Sequence, residues 1–264
     1  MEICKITPTF AIGTKNYMIM TTEISPQPKN CTILVTHRMD EPMIRYLRFL
    51  KEQITEVMDF YILYDCGTQP LDPADYPDLN FHLFNSNELP GFFYYGNRKL
   101  PNPLKALIEF SKQHPYQHYL VMEGDLVLCG DWSNFVRKIN GLKCDYVHIA
   151  SDVMGDVRRH YPVYGIEVNP FKHLYAAWCH VFCLSHQYLM DLEEFMKEND
   201  SFYYEMLLPT LAYNRGYYIR QFENLGYQFD ISWGPAEEYE RRYMEDRRHK
   251  TFYHPVKNSS LIEY

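Results

Sequence analysis

From residue 31 onward, short apolar runs alternate with amphipathic stretches, and each run ends in polar residues. Cys31 to Thr36 reads as a buried strand because it is short, continuous and rich in β-branched residues. Met43, Ile44, Leu47, Leu50 and Ile54 then recur at helical spacing, with Asp40 as cap and Pro42 in the first turn. Phe60 to Tyr64 and Asn80 to Phe84 predict two more strands. A second helix opens at Asn102-Pro103 and carries the stripe Leu104, Leu107, Ile108, Ser111. Tyr119 to Met122 is the next strand, and Asp131 caps a short helix that stops near Gly141. Asp145 to Ala150 and His180 to Leu184 follow as strands. Ser185 caps a helix through Phe195, and a further helix from Phe202 to Asn214 closes at Gly216. Tyr217 to Phe222 is predicted as a last central strand. Strands alternating with helices, and polar loops after each strand, indicate an α/β domain of doubly wound type.

The connections fit this reading. Pro26 and Pro28 exclude helix before the first strand, so 1–30 is an irregular extension or edge segment. Pro70, Pro73 and Pro77 mark a surface connection, Gly91 to Asn97 an aromatic loop, and 153–175 a loop-rich insertion. The domain proper spans 31–233. The remainder, 234–264, is a C-terminal extension, strongly charged from Glu237 to Lys250.

The stretch that concentrates chemistry is His118 to Trp132. Its strand ends in Glu123-Gly124-Asp125. Carboxylates are rarely buried unless paired or bound to metal, and ligands of open α/β sheets bind at the carboxyl ends of strands. Acid-x-acid at that place suits a hard divalent cation, which prefers oxygen ligands and bridges phosphates. A turn built on Gly124 beside a helix cap would also use these residues.

Composition narrows the classes. Apolar residues make up 46% of 264, enough for a sizeable core. A net charge of −8 argues against general nucleic-acid binding. It gives no pull toward anionic lipid, although a local basic patch would still permit peripheral membrane contact. No run approaches the ~20 apolar residues of a transmembrane segment, and no signal segment opens the chain, which points to a cytoplasmic protein. The seven cysteines, at 4, 31, 66, 129, 144, 179 and 183, form no CxxC pair. Reduced buried thiols account for them, and no second pair supports a zinc site at Cys179 and Cys183. The 24 tyrosines are an excess that suits sugar contacts as well as packing.

Taken in order, these features resemble the nucleotide-sugar glycosyltransferases of the GT-A fold. They are a strand followed by Thr36-His37-Arg38, a strand ending in Asp65, a Gly96-Asn97 loop before a helix, and the Glu123-x-Asp125 turn. A glutamate then opens a late helix in Tyr203-Tyr204-Glu205-Met206, and His254 stands near the C-terminus. The resemblance covers about 31–257 and lies in order and spacing. It implies a Rossmann-like mixed central sheet flanked by helices. It also implies Mn2+ or Mg2+ held by Asp125, with Glu123 assisting and His254 completing the sphere. Thr36, His37, Arg38, Asp65 and Asn97 would hold the nucleotide, and Lys257 the diphosphate. Glu205 would take the acceptor's proton if configuration inverts, with Asp200 as fallback, and Trp178 or Trp233 could stack on a sugar.

Each residue also has a plainer use. Asp65-Cys66-Gly67 makes a turn, Asn97 a cap, Glu205 a charge at a helix start, and His254 a surface side chain. The expected activity is transfer of a sugar from a nucleoside diphosphate donor to a glycan or lipid-linked acceptor, as in polysaccharide biosynthesis. Two alternatives keep the fold. One is sugar nucleotidyl transfer, disfavoured because the loop after the first strand lacks glycine. The other is a catalytically inactive member that binds a glycan or partner, consistent with glutamate in place of the usual first aspartate.

Overall fold

A computed structural model describes residues 30–89, 92–95, 98–150, 171, 174–199, 202–232 and 234–262. The segment 1–29, most of the 153–175 insertion, Asn97, Asp200 and Trp233 lie outside them.

Seven strands form the central sheet. They are β1 (Asn30–Thr36), β2 (Asp59–Asp65), β3 (Phe81–Phe84), β6 (His118–Glu123), β8 (Tyr146–His148), β9 (Val181–Ser185) and β10 (Ile219–Gln221). Their order is β10-β8-β9-β6-β1-β2-β3. β6, β1, β2 and β3 are parallel, whereas β9 runs antiparallel to both β6 and β8. This mixed sheet with helices on both faces is the architecture the GT-A resemblance implies. Tyr217 to Phe222 differs from expectation in position. Its strand, β10, is three residues long and lies at the sheet edge rather than in the centre.

Side chains alternate across the sheet, as a period of two requires. Leu34, Ile62, Leu120 and Met122 face one way, into a core shared with α1 (Glu41–Ile54) and α3 (Trp132–Asn140). Ile33, Leu63, Tyr119 and Val121 face the other, against α2 (Pro103–Gln113), α4 (His186–Met196) and α5 (Tyr204–Arg215). The helix starts are where their capping residues stand. Asp40, Asn102, Asp131 and Ser185 each accept a backbone N–H from the first turn. The aromatic loop contains a two-stranded hairpin, β4 (Phe92–Tyr95) with β5 (Arg98–Pro101).

A second, three-stranded sheet joins β7 (Val127–Cys129), β11 (Gln228–Ile231) and β12 (Thr251–His254) in the order β11-β12-β7. Phe252 of β12 packs edge-on against Trp132 and Phe135, with ring centroids 5.7 and 5.0 Å apart. Helix α6 (Ala236–Glu245) packs on β12 through Tyr243, 5.5 Å from Tyr253. The charged C-terminal extension is therefore built into the core.

Candidate active site

Two chain reversals assemble the site. β6 ends at Glu123, and β9 starts beside that end because it runs the opposite way. Met122 pairs with Val181, and the Glu123 N–H donates to the carbonyl of His180 at 2.9 Å. After the turn, β7 pairs antiparallel with β12, Tyr253 opposite Val127, and the Val256 N–H donates to the Asp125 carbonyl at 2.9 Å. His254 is thereby delivered to the acid turn from more than a hundred residues away.

The turn itself is tight. The Gly124 N–H donates to the Val35 carbonyl at 2.9 Å. A Cβ at position 124 would stand 2.9 Å from Thr36 Oγ1 and 3.3 Å from the Val35 carbonyl. Glycine is required there by close approach to β1, not by backbone angle.

Glu123 Oε2 lies 2.8 Å from His180 Nδ1 and 3.0 Å from His254 Nε2, and the same Nε2 lies 3.2 Å from Asp125 Oδ1. The two imidazole rings stack, with centroids 3.7 Å apart and planes 20° from parallel. Trp178 also stacks on His180, with ring centroids 5.5 Å apart. Burial would raise the Glu123 carboxyl, but the imidazoles of His180 and His254 outweigh it and hold the group well below the carboxylate range. Burial likewise works against a charged His254. Its contacts with Asp125 and Glu123 prevail and push it up to about 9. One ligand-type atom from each of Glu123, His180 and His254 falls in a cluster no wider than 4.8 Å. Among the described residues, the other nitrogens, His180 Nε2 and His254 Nδ1, are buried without hydrogen-bond partners. Imidazole and carboxylate together fit a divalent metal ion.

In front of this cluster opens a cleft of about 460 Å3 at the carboxyl ends of β1, β2 and β3. Thr36, His37, Arg38, Asp65, Glu123, Asp125 and Lys257 line it, together with Ser86 and Tyr204. Thr36 Oγ1 accepts the Arg38 N–H at 3.1 Å and so shapes the first loop. The Arg38 guanidinium bonds Asp40 Oδ2 at 2.6 Å and the Lys257 carbonyl, tying the first loop to the C-terminal segment. Asp65 Oδ1 accepts N–H groups from Gly67 and Ser86 at 2.9 and 3.0 Å. Its turn role is thus observed, while the residue also faces the cleft.

Glu205 is placed differently from Glu123 and Asp125. It is fully buried on α5, and its neighbour Tyr204 lines the cleft instead. Its Oε2 accepts from the Tyr203 hydroxyl at 2.7 Å, and Oε1 has no partner among the described residues. Burial, with Glu123 adding to it, pushes the carboxyl up to about 8. His180 is absent from the metal-ligand set expected from sequence. The sequence signal for it, a histidine opening an apolar strand, acquires meaning only once β9 is known to lie antiparallel beside β6.

No protein-family model and no curated protein matches the chain. Solved structures to which it is similar include glycosyltransferases and nucleotidyltransferases. One is a Bacillus anthracis protein assigned as a glucose-1-phosphate thymidylyltransferase, at 13% identity over 73% of this chain and 85% of that one, TM-score 0.47. Another is an active-site mutant of LgtC, at 8% over 82% and 78%, TM-score 0.45. A third is a mannosyltransferase from Pyrobaculum calidifontis in complex with GDP-Man and Mn2+, at 10% over 75% and 55%, TM-score 0.40. At these TM-scores the overlaps carry no functional weight.

Proposed function

We propose that the protein is a metal-dependent glycosyltransferase that moves a sugar from a nucleoside diphosphate donor to a glycan or lipid-linked acceptor. One observation carries this reading. Side chains from the ends of β1, β2 and β6, and from the segment after β12, converge on one cleft with cationic groups and carboxylates side by side. Such a mixture suits a ligand with a neutral hydrogen-bonding end and a strongly anionic middle.

In this reading Asp65 and His37 hold the nucleoside end. Asp65 Oδ1 is committed to the turn, so Oδ2 is the oxygen offered to a base. Arg38 and Lys257 face the diphosphate, and Asn97 joins the nucleotide-binding set from its place in the sequence, ahead of α2. Asp125, Glu123 and His254 would hold a divalent cation. When bound, that cation neutralises the charge that gathers on the departing diphosphate. Glu205, fully buried behind Tyr204, would take the acceptor's proton in an inverting transfer only if α5 shifts to uncover it. With its carboxyl near 8, it gains basic form as pH rises through that value. The loop Thr36-His37-Arg38-Met39 has no glycine to cradle a triphosphate, which ranks nucleotidyl transfer lower.

Among the described residues no helix is long and apolar enough to cross a membrane. A lipid-linked acceptor would therefore be met at a membrane surface rather than within these residues.

The test is turnover. Purified protein with Mn2+ and a panel of nucleotide sugars should release nucleoside diphosphate. Absence of a thermal shift with every donor, with and without metal, would refute the reading, because mass action makes even weak ligands register at high concentration. Pyrophosphate release from a nucleoside triphosphate and a sugar phosphate would move the assignment to nucleotidyl transfer.

A further inference from the structure

We propose that His180 is a direct metal ligand, so that two imidazoles and two carboxylates form a site that takes a transition-metal ion without nucleotide and rejects Mg2+. The inference rests on the reading of Glu123, Asp125 and His254 as metal-binding residues, and adds to it a fourth ligand and a selectivity.

The geometry is the first support. His180 Nδ1 and His254 Nε2 approach the same carboxylate oxygen, Glu123 Oε2, at 2.8 and 3.0 Å, and Asp125 Oδ1 lies 3.2 Å from His254 Nε2. Bonds of about 2.0–2.2 Å from a metal to nitrogen and oxygen place neighbouring ligands roughly 2.8–3.1 Å apart at right angles and roughly 3.3–3.6 Å apart in a tetrahedron. The observed spacings are close to such edges, while the stacked imidazoles, now 20° from parallel, must tilt for both nitrogens to aim at one ion.

The second support is how firmly the ligands are held. Glu123 and His180 are locked by strand pairing, with the Glu123 N–H on the His180 carbonyl. His180 stacks against both Trp178 and His254. Its exposure is 5% and that of His254 is 8%. Glu123, His180 and His254 already present ligand atoms within 4.8 Å of one another, and Asp125 adds a fourth by moving toward them.

The third support is chemical. Mg2+ demands oxygen ligands and keeps several of its waters, whereas imidazole nitrogen favours later first-row metals. Two nitrogens in the set therefore favour transition-metal ions over Mg2+, with Co2+ and Zn2+ favoured most and Mn2+ least among them. The rival account leaves His180 one shell out, orienting Glu123 through a hydrogen bond.

Two measurements on nucleotide-free protein decide between them. Pulsed EPR on the Mn2+-loaded wild type should show coupling to two imidazole nitrogens. Titration calorimetry should show Mn2+ bound at least about tenfold more tightly than Mg2+. His180→Asn, and His180→Ala if it folds, should leave one coupled nitrogen and shrink the Mn2+-to-Mg2+ ratio. A wild-type spectrum with a single imidazole nitrogen, or equal affinity for both metals, overturns the proposal even if every variant unfolds. In that case donor turnover supported by Mg2+ would leave the glycosyltransferase reading standing. Failure of nucleotide-free wild type to bind any divalent ion also overturns it, and donor binding measured alongside shows whether the broader reading falls too.

Discussion

Glu123 and His180 meet at the end of the antiparallel β6–β9 pair, carboxylate Oε2 against Nδ1 at 2.8 Å, with the backbone of the same two residues hydrogen-bonded. One register position thus fixes both the main chain and the chemistry. The Glu123 carboxyl stays ionised because the imidazoles of His180 and His254 overcome the cost of its burial.

Removing charge here should disable the site without dismantling the fold. Glu123→Gln and Asp125→Asn keep the side-chain volumes. Each is expected to lower Mn2+ affinity by at least about 10–100-fold. The Mn2+-induced rise in melting temperature expected for wild type should vanish in both, and nucleoside diphosphate release should fall with it. Unchanged metal-induced stabilisation in both variants would show that the acids do not bind metal.

Gly124 makes a separate prediction about packing. Its missing Cβ is what lets the acid turn lie against Thr36, so Gly124→Ala forces a 2.9 Å contact with Thr36 Oγ1. The expected cost is about 1–3 kcal/mol of unfolding free energy, read from urea midpoints. Adding Thr36→Ala, which removes the atom in the way, should recover part of it. A double mutant no better than the sum of the singles would count against this account.

Glu205 predicts a pH dependence. Its carboxyl titrates near 4.3 when unfolded and near 8 when folded. Between those values the folded protein holds the extra proton, so stability falls as pH rises, by up to ~1.4 kcal/mol per pH unit. Above about 8 this group adds no further slope. His254, raised to about 9, also loses its stabilising contribution as pH rises, but only above its unfolded value near 6.5. Between about pH 5 and 6.5 Glu205 acts together with Glu223, also raised by burial, and against His82, His118 and His148, lowered by burial, so its share is read from the difference between wild type and variant. Glu205→Gln should flatten the stability profile there, measured by chemical denaturation. Parallel profiles for wild type and variant would mean that Glu205 is ionised in the folded state.

Phe252 links stability to the site. It is fully buried against Trp132 and Phe135, on the strand that carries His254. Phe252→Ala should cost about 3–5 kcal/mol. It should also weaken Mn2+ binding, since β12 loses the anchor that presents His254 to Asp125. Normal metal affinity in a destabilised but folded variant would separate the two effects.

Much of the scaffold was readable from the chain. The strands β1, β2, β3 and β6, the helices capped by Asp40, Asn102, Asp131 and Ser185, and the acids placed at a strand end all follow from local rules. These are the period of burial, capping hydrogen bonds and the conformational limits of proline and glycine, each acting within a few residues. What the sequence did not contain was the pairing between distant segments. β9 reverses direction beside β6, and that reversal alone makes His180 a neighbour of Glu123. Tyr217 to Phe222 has the composition of an inner strand, yet only three of its residues pair, at an edge. Glu205 was readable as an acid at a helix start among aromatics, but only the packing of α5, buried along most of its length, carries the carboxyl fully inside. Local pattern determines which residues want to leave water. The crossovers that bring 123, 180 and 254 within hydrogen-bonding distance are decided by how the sheets pack, because only packing selects among the many partners a short strand can accept.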